Sequence, residues 1–283
     1  MDNRPIGLLD SGLGGLTVLK KVMKKLPNEA TVFIGDQAHM PYGDKTTEEV
    51  IELTRRSVNF LLSKNVKVII FACNTATAAA MEVIQKEITP QIIGVIQSGS
   101  LAAARTTKNN KVAVIGTHVT IESHAYSREI KFRNPDIEVT ELATPQLAPL
   151  VEAQRDYAYN IDVVRDSLDS LKEKEFDTMV LGCTHYPIIE KEISKVVGST
   201  IKLVDPADQV AQYTENVLKR DGMLAGKKGK REYYTTGDCQ KFTEIARKWL
   251  DDPELVATHV ETGEDLWVKY YYLQLITKIK LKN

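Results

Sequence analysis

Residues 68–75 read VIIFACNT, and residues 178–185 read TMVLGCTH. Each stretch is a short apolar run, typical of a buried strand, followed by a small residue, a cysteine and polar residues. The two cysteines, Cys73 and Cys183, therefore occupy matching contexts. We predict two related halves, each presenting a cysteine at the carboxyl end of a strand, which is where open parallel sheets bind ligands.

Strand-like apolar runs alternate with amphipathic helical stretches along most of the chain. This alternation predicts an α/β fold with mainly parallel sheets covered by helices. The predicted strands are residues 6–9, 31–34, 66–71, 92–96, 112–115, 137–142, 178–181, 201–203 and 231–235. The clearest predicted helices are residues 47–63, 76–86, 161–174 and 208–221.

A weaker repeat relates residues 6–11 to residues 112–117 and supports a division into two halves. We expect the first α/β domain, which contributes Cys73, to consist of residues 1–97 and 207–283. The second α/β domain, which contributes Cys183, would then consist of residues 98–206. A helix and a strand predicted beyond position 207 suggest the return to the first domain, although two tandem domains fit the same spacing.

Length and composition are those of an ordinary globular protein. The 283 residues suffice for about two domains, with 43% apolar residues, 27% charged residues and a formal net charge of −1. This balance gives no electrostatic reason to expect a nucleic acid or a membrane as partner. The apolar run near the N-terminus is too short for a signal peptide or a membrane span, so we expect a cytoplasmic protein.

Three cysteines are too few for a disulfide framework and suggest free thiols in a reducing compartment. A thiol at a strand-to-helix junction lies beside free N–H groups and the positive end of a helix. We therefore expect the pKa of Cys73 and Cys183 to be lowered from its usual value of about 8.5. Burial as a small apolar residue is the alternative, and it explains an isolated cysteine better than a matched pair. We expect Cys239 to lie in a loop, without a role.

A zinc site built from Cys73, Cys183, His185 and an acid is a competing use of these residues. Neither C-x-x-C nor H-x-x-x-H spacing occurs, which disfavours zinc and a thioredoxin-like dithiol. We therefore expect no metal. The other histidines lack such contexts and are interpreted as surface or structural residues: His39, His118, His124 and His259.

Five short segments together resemble the glutamate racemases of the aspartate/glutamate racemase superfamily. They are residues 10–15 (DSGLGG), 41–43 (PYG), 73–76 (CNTA), 116–120 (GTHVT) and 182–187 (GCTHYP). The segments follow the order of the family, and their combination is specific although each one alone is weak. The His-Tyr-Pro ending is similar to the glutamate branch, whereas aspartate racemases typically have Thr-Glu after the second cysteine.

The resemblance implies two pseudo-symmetric domains facing across an active-site cleft, no cofactor, no metal and a homodimer. It implies a bacterial cytoplasmic enzyme that supplies D-glutamate for peptidoglycan. Cys73 would take the α-proton of D-glutamate, and Cys183 that of L-glutamate, from opposite faces of the carbon. The acid–base residues implied beside the thiols are Asp10 near Cys73, with Glu152 and His185 near Cys183. The implied substrate-binding residues are Asp10, Ser11, Pro41, Tyr42, Gly43, Asn74, Thr75, Thr117, Thr120, Thr184 and His185.

Structural explanations and rival functions compete with this assignment. Asp10 could cap the helix that follows it, Glu152 could be a solvated helical residue, and His185 could be an ordinary turn residue. The rival functions are racemisation of aspartate, which His185 disfavours, and non-catalytic binding of an acidic amino acid, which would not require both thiols.

Two parts of the sequence depart from the pattern of the family. Residues 97–99 read QSG, where an acid or another residue followed by Pro-Gly is common. This departure lies near the expected domain crossover, so we expect it to affect domain geometry or its regulation more than chemistry. The tail beyond Gly263 is longer and more basic than the family pattern predicts.

Overall fold

The computed structural model of the protein describes residues 1–263. It contains two parallel sheets flanked by helices, which confirms the predicted α/β fold with two domains. The tail beyond Gly263, including the end of the predicted range 207–283, lies outside the described residues. Within the described part of the chain, no helix has the length and apolar character needed to cross a membrane.

The first sheet is parallel throughout and lies between helices that bury one face against it. Its strands are β1 (Ile6–Asp10), β2 (Thr31–Gly35), β3 (Val68–Phe71), β4 (Gln91–Gly94), β9 (Arg231–Thr235) and β10 (Ala257–His259). Their order in the sheet is β10-β9-β2-β1-β3-β4. Because β9 pairs with β2, the chain adds to this sheet again near its end. The domain boundaries named above stay a prediction.

The second sheet is also parallel and has four strands. They are β5 (Lys111–Gly116), β6 (Glu138–Ala143), β7 (Thr178–Gly182) and β8 (Lys202–Val204). Their order is β6-β5-β7-β8, so β5 and β7 are the two central strands. The residues of β7 are fully buried, as expected for a strand that is covered on both faces.

Helices cover both sheets, and the larger apolar side chains of the strands pack beneath them. The α-helices are α1 (Leu16–Lys25), α2 (Thr47–Ser63), α3 (Asn74–Gln85), α4 (Val95–Thr106), α5 (His118–Glu122), α6 (Ala125–Arg133), α7 (Leu147–Glu152), α8 (Tyr157–Ser167), α9 (Glu190–Val197), α10 (Pro206–Arg220) and α11 (Cys239–Leu250). Short 3₁₀ helices span Gln37–His39, Tyr42–Asp44, Asp169–Leu171 and Tyr186–Ile189. Helix α10 packs against both α1 and α4.

Three predicted elements are wrong in part. Val95 and Ile96 begin α4 instead of extending β4, because an apolar pair can be buried equally well in a helix. The predicted helix 161–174 ends at Ser167, and the 3₁₀ turn that follows keeps its apolar side chains buried, which imitates helical spacing. Cys239 begins α11 instead of lying in a loop, since the Asp238 side chain caps that helix.

Candidate active site

The carboxyl ends of strands from both sheets border one cavity of about 180 Å³. Its volume is below the roughly 300 Å³ at which pockets for drug-sized ligands begin, so it suits a small molecule. The residues that line it are Ser11, Gly12, Met40, Pro41, Tyr42, Gly43, Cys73, Asn74, Thr75, Thr117, Ala148, Pro149, Glu152, Cys183, Thr184 and His185. A cleft of about 440 Å³ beside α8 and α9 is larger, but it is lined by basic and apolar residues. We place the site by its chemistry and not by its size.

Cys73 lies just beyond β3 and forms the N-cap of α3. Its sulfur accepts a hydrogen bond from the Ala76 N–H at 3.4 Å and donates to Ser11 Oγ at 3.6 Å. The side chain is only 5% exposed. Burial, together with the nearby charge of Asp10, raises the pKa of Cys73 to about 12. The predicted lowering is therefore wrong for Cys73, because its N–H contacts do not outweigh the loss of solvent.

Cys183 lies directly beyond β7, and its surroundings differ from those of Cys73. A turn and a 3₁₀ helix follow it instead of the expected α-helix. Its sulfur lies 3.7 Å from Nδ1 of His185. The other ring nitrogen of His185, Nε2, lies 3.0 Å from Oε1 of Glu152 at the end of α7. The three side chains thus form a hydrogen-bonded row along the wall of the cavity.

The surroundings of His185 favour its charged form. Burial disfavours this charge, but hydrogen bonds with Cys183 and Glu152 outweigh it and raise the pKa of His185 to about 10. The imidazolium donates toward the Cys183 sulfur from Nδ1 and toward the Glu152 carboxylate from Nε2. Trp249 packs edge-on against the ring, with 6.3 Å between ring centroids. A charged donor at this position stabilises negative charge on the Cys183 sulfur.

Asp10, the last residue of β1, lies behind the cavity and is 1% exposed. Its carboxylate accepts hydrogen bonds from the Gly12 N–H at 2.9 Å and from the Thr184 hydroxyl at 3.4 Å. Burial raises the pKa of Asp10, while the charge of His185 and these hydrogen bonds oppose the shift. Asp10 therefore orders the loop before α1 and, through Thr184, connects the loop of one sheet with that of the other.

Three threonine hydroxyls connect the two halves on the opposite side of the cavity. Thr75 Oγ1 lies 2.9 Å from Thr117 Oγ1, which in turn lies 3.0 Å from Thr120 Oγ1. Thr75 and Thr117 line the cavity, whereas Thr120 is fully buried behind them. Thr120 thus orients the two hydroxyls that line the cavity and does not itself line it.

Asn74 and Tyr42 are both held by buried partners. The Tyr126 hydroxyl donates to Asn74 Oδ1 at 2.7 Å, which leaves the Asn74 amide N–H groups for other contacts. The Tyr42 hydroxyl donates to Asp36 at 2.6 Å, so it is occupied away from a ligand. A Cβ on Gly43 would lie 2.9 Å from Cβ of Thr117, which shows how closely this loop approaches the second sheet.

Neutral donors dominate the walls of the cavity. Among the residues that the structure describes, no lysine or arginine lines it. Hydroxyl groups, the Asn74 amide, the imidazolium of His185 and the N-terminus of α3 remain as donors for a carboxylate. Within residues 1–263, no group of three or more His, Cys, Asp or Glu side chains is arranged to hold a metal ion.

Four lining residues were not among the sequence candidates, and one of them, Gly12, lies next to Ser11 in the segment 10–15. Met40 directly precedes the Pro-Tyr-Gly segment, so its position could have been inferred from that neighbour. Ala148 and Pro149 precede Glu152 by four and three residues on α7. This spacing places them on the same helical face as Glu152, and recognising α7 as a helix would have identified both.

Comparisons with known proteins agree with this geometry. A model of the family described as Asp/Glu/Hydantoin racemase matches residues 13–214. A glutamate racemase of Lactobacillus acidophilus is 64% identical over 264 residues, covering 93% of this chain and 99% of that protein. Glutamate racemase isoform RacE1 from Bacillus anthracis superposes with a TM-score of 0.90 and 36% identity, covering 92% of this chain and 98% of that one. A Francisella tularensis glutamate racemase, solved in complex with D-glutamate, has a TM-score of 0.83 and 34% identity, covering 92% of this chain and 97% of that one.

Proposed function

Because the chain belongs to the glutamate racemases of the Asp/Glu/hydantoin racemase family, we propose that Cys73 and Cys183 are the two acid–base groups of its reaction. One observation carries the proposal. The two thiols line the same small cavity, each just beyond a strand of a different sheet. Two groups placed in this way can approach opposite faces of one α-carbon, as inversion requires.

The proton transfers of the L-to-D direction follow from the surroundings of Cys183 and Cys73. The Cys183 thiolate, stabilised by the imidazolium of His185, accepts the α-proton of L-glutamate and becomes a thiol. The carbanion then takes a proton from the Cys73 thiol on the opposite face, which gives D-glutamate and leaves the Cys73 thiolate. The raised pKa of Cys73 suits this step, because the group holds its proton until a strongly basic carbon is present. The D-to-L direction runs the same steps in reverse.

The neutral donors around the cavity suit an amino acid with two carboxylates. Hydroxyls of Ser11, Thr75, Thr117 and Thr184 and the amide of Asn74 can donate to carboxylate oxygens. Pro41, Tyr42 and Gly43 close the side of the cavity near Thr117 and would contact the side-chain carboxylate. Asp10 and Thr120 act from behind, on Thr184 and on the Thr75–Thr117 pair. The D-glutamate complex of the Francisella tularensis relative supports glutamate as the ligand.

Several wider roles complete the proposal. The enzyme acts without a cofactor, in the cytoplasm and as a homodimer, and it supplies D-glutamate for peptidoglycan synthesis. The domains comprise residues 1–97 with 207–283, and residues 98–206. Depletion of the enzyme should stop cell-wall growth unless D-glutamate is supplied, and light scattering of the purified protein should give the mass of a dimer. A monomeric mass, or growth that D-glutamate does not restore, would contradict the corresponding role.

Isotope exchange in heavy water tests the two-thiol reaction. The purified protein is incubated with D-glutamate in heavy water with EDTA, and the α-proton and both enantiomers are followed by NMR and chiral chromatography. The expected product, L-glutamate, carries solvent deuterium from its first formation, because the second thiol has exchanged with solvent. Cys73→Ser and Cys183→Ser should each abolish inversion while binding of glutamate persists.

Cys239→Ser is the matched control, since Cys239 begins α11 away from the cavity. This variant should racemise glutamate at the wild-type rate. Inversion that survives in either Cys73→Ser or Cys183→Ser, or product that keeps its original α-proton, would refute the two-thiol reaction. Faster turnover of aspartate than of glutamate would refute the proposal that glutamate is the substrate.

A further inference from the structure

Asp205 is a partly buried acid beside the active site for which the reaction above has no use. It directly precedes α10, and its Oδ1 accepts a hydrogen bond from the Ala207 N–H at 2.9 Å. This contact makes Asp205 the N-cap of the helix. One carboxylate oxygen suffices for the cap, so the second is available for another purpose.

A cavity of about 10 Å³ connects Asp205 to the catalytic centre. Asn74, Cys183 and Thr184 line this cavity and also line the substrate cavity, so they form the wall between the two. Thr17 and Asp205 supply further polar groups on the far side. The volume is at the lower end of the roughly 10–15 Å³ that a single buried water needs. Val18, Val95 and Leu181 are among the apolar residues that complete the wall, so the polar groups are the partners open to such a water.

The two-thiol reaction creates a need for proton exchange at Cys183. Each L-to-D turnover leaves Cys183 as a thiol and Cys73 as a thiolate, the reverse of the starting state. Before the next turnover in the same direction, Cys183 must lose its proton. In the D-to-L direction it must instead regain one. Bulk water reaches Cys183 poorly, because its side chain is only 8% exposed.

We propose that Asp205 exchanges a proton with Cys183 through one water in the small cavity and thereby resets Cys183 between turnovers. This inference rests on the proposed two-thiol function. In the L-to-D direction the Cys183 S–H bond breaks, the water passes a proton on, and an O–H bond forms on the Asp205 carboxylate. Asp205, which is half-buried, then releases the proton to solvent.

The charges around Asp205 suit a group that gains and loses a proton. Burial raises the pKa of Asp205, the Ala207 N–H and Lys21 of α1 lower it, and Asp208 of α10 and Glu190 of α9 raise it. The Tyr126 hydroxyl of α6 faces the same region, and the charge of Asp205 contributes to the raised pKa of Tyr126. A carboxyl group with a raised pKa exchanges protons more readily near neutral pH than an unperturbed one does.

Steady-state kinetics of Asp205→Asn in both directions test the proposal. Asparagine preserves the helix cap and removes the proton exchange. The proton exchange at Cys183 takes place after product release. Slowing it therefore lowers kcat but leaves kcat/KM unchanged. We expect kcat and KM to fall together, by about tenfold, while kcat/KM stays at the wild-type value. A purely structural role would instead lower kcat/KM.

Asp238→Asn is the matched control, because the Asp238 side chain caps α11 as Asp205 caps α10, and it lies away from both cavities. It should leave both parameters unchanged. Asp205→Ala, which also removes the cap, should add a fall in thermal stability that Asp205→Asn does not show. An unchanged kcat in Asp205→Asn, or a fall of kcat/KM equal to that of kcat, would overturn the proposal.

The heavy-water experiment keeps the two inferences apart. Wild-type product without solvent deuterium would refute the two-thiol function itself. Normal deuterium incorporation in the wild type, combined with unchanged kinetics of Asp205→Asn, would refute only the role of Asp205.

Discussion

The surroundings of Cys73 and Cys183 differ although both thiols lie just beyond parallel strands. The Cys73 sulfur contacts neutral groups, the Ala76 N–H and the Ser11 hydroxyl. The Cys183 sulfur faces His185, which is tied to Glu152. The repeated backbone therefore places the two thiols alike, and the side chains that follow each strand give them different surroundings. In the proposed L-to-D reaction, Cys73 is the acid and Cys183 is the base.

Removal of His185, the charged partner of Cys183, should have the largest effect on activity. His185→Asn leaves the Cys183 sulfur without a cationic neighbour, so we expect kcat/KM to fall by roughly 10²–10³-fold. Initial rates with both enantiomers measure the effect, and the equilibrium constant of the racemisation requires kcat/KM to fall equally in both directions.

His124→Asn is the matched control for that variant. His124 also pairs with an acid, Glu141, at 2.7 Å, but it is exposed and lies away from the cavity. We expect wild-type kinetics from this variant. A His185→Asn enzyme as active as His124→Asn would mean that Cys183 needs no charged partner.

Gly14→Ala should disturb the residues next to Cys183, although Gly14 lies in the loop between β1 and α1. A Cβ at this position would collide with the Thr184 hydroxyl and would lie 2.7 Å from Nδ1 of His185. We expect kcat/KM to fall by roughly 10²-fold, because a displacement of this size misplaces the imidazolium. Overpacking should also lower the free energy of unfolding by about 1–3 kcal/mol, measured by denaturant titration.

Gly12→Ala provides the comparison for Gly14→Ala. Its Cβ would meet mainly the Met40 sulfur at 3.2 Å, and this flexible side chain can move aside. The loss of activity should therefore be smaller. An equal loss in both variants would show that the loop before α1, and not the contact with His185, governs activity.

Glu152→Gln should have an intermediate effect that depends on pH. Glutamine retains a hydrogen-bond acceptor but no charge, so it should lower the pKa of His185 from about 10. In the proposed reaction the imidazolium is the active form, so activity should be lost as pH rises through that pKa. The alkaline limb of the kcat/KM profile should therefore move to lower pH, with about a tenfold loss of activity one pH unit above the new pKa.

Glu141→Gln serves as the control, since Glu141 pairs with the exposed His124. Its pH profile should match that of the wild type. A Glu152→Gln profile with an unmoved alkaline limb would mean that another group titrates there.

The sequence could predict the placement of the thiols because the relevant pattern is local. A buried strand, a small residue and a cysteine are adjacent in the chain, and the repeat shows that the pattern occurs twice. Glu152 and His185 are brought together only by the fold, and the family resemblance, not spacing, suggested both. The raised pKa of Cys73 was missed because it depends on burial by residues from several distant segments.

The place of Asp205 beside Cys183 could likewise not be predicted from the sequence. Its capping role can be inferred from the Asp-Pro-Ala sequence at the start of α10. Its connection to Cys183 requires β7, α1 and α10 to meet around one small cavity. No sequence spacing encodes that meeting.

Ser11→Ala should have the smallest effect and completes the comparison on the Cys73 side. The Ser11 hydroxyl is a neutral partner at 3.6 Å, and its loss should raise the pKa of Cys73 further. A neutral hydrogen bond contributes about 0.5–1.5 kcal/mol, which corresponds to a fall in kcat/KM of roughly two- to tenfold. Ser11→Thr keeps the hydroxyl and should retain more activity than Ser11→Ala. If Ser11→Ala instead lost as much activity as His185→Asn, both thiols would depend equally on a hydrogen-bonded partner. The proposal that Cys73 acts as an acid without a charged partner would then be wrong.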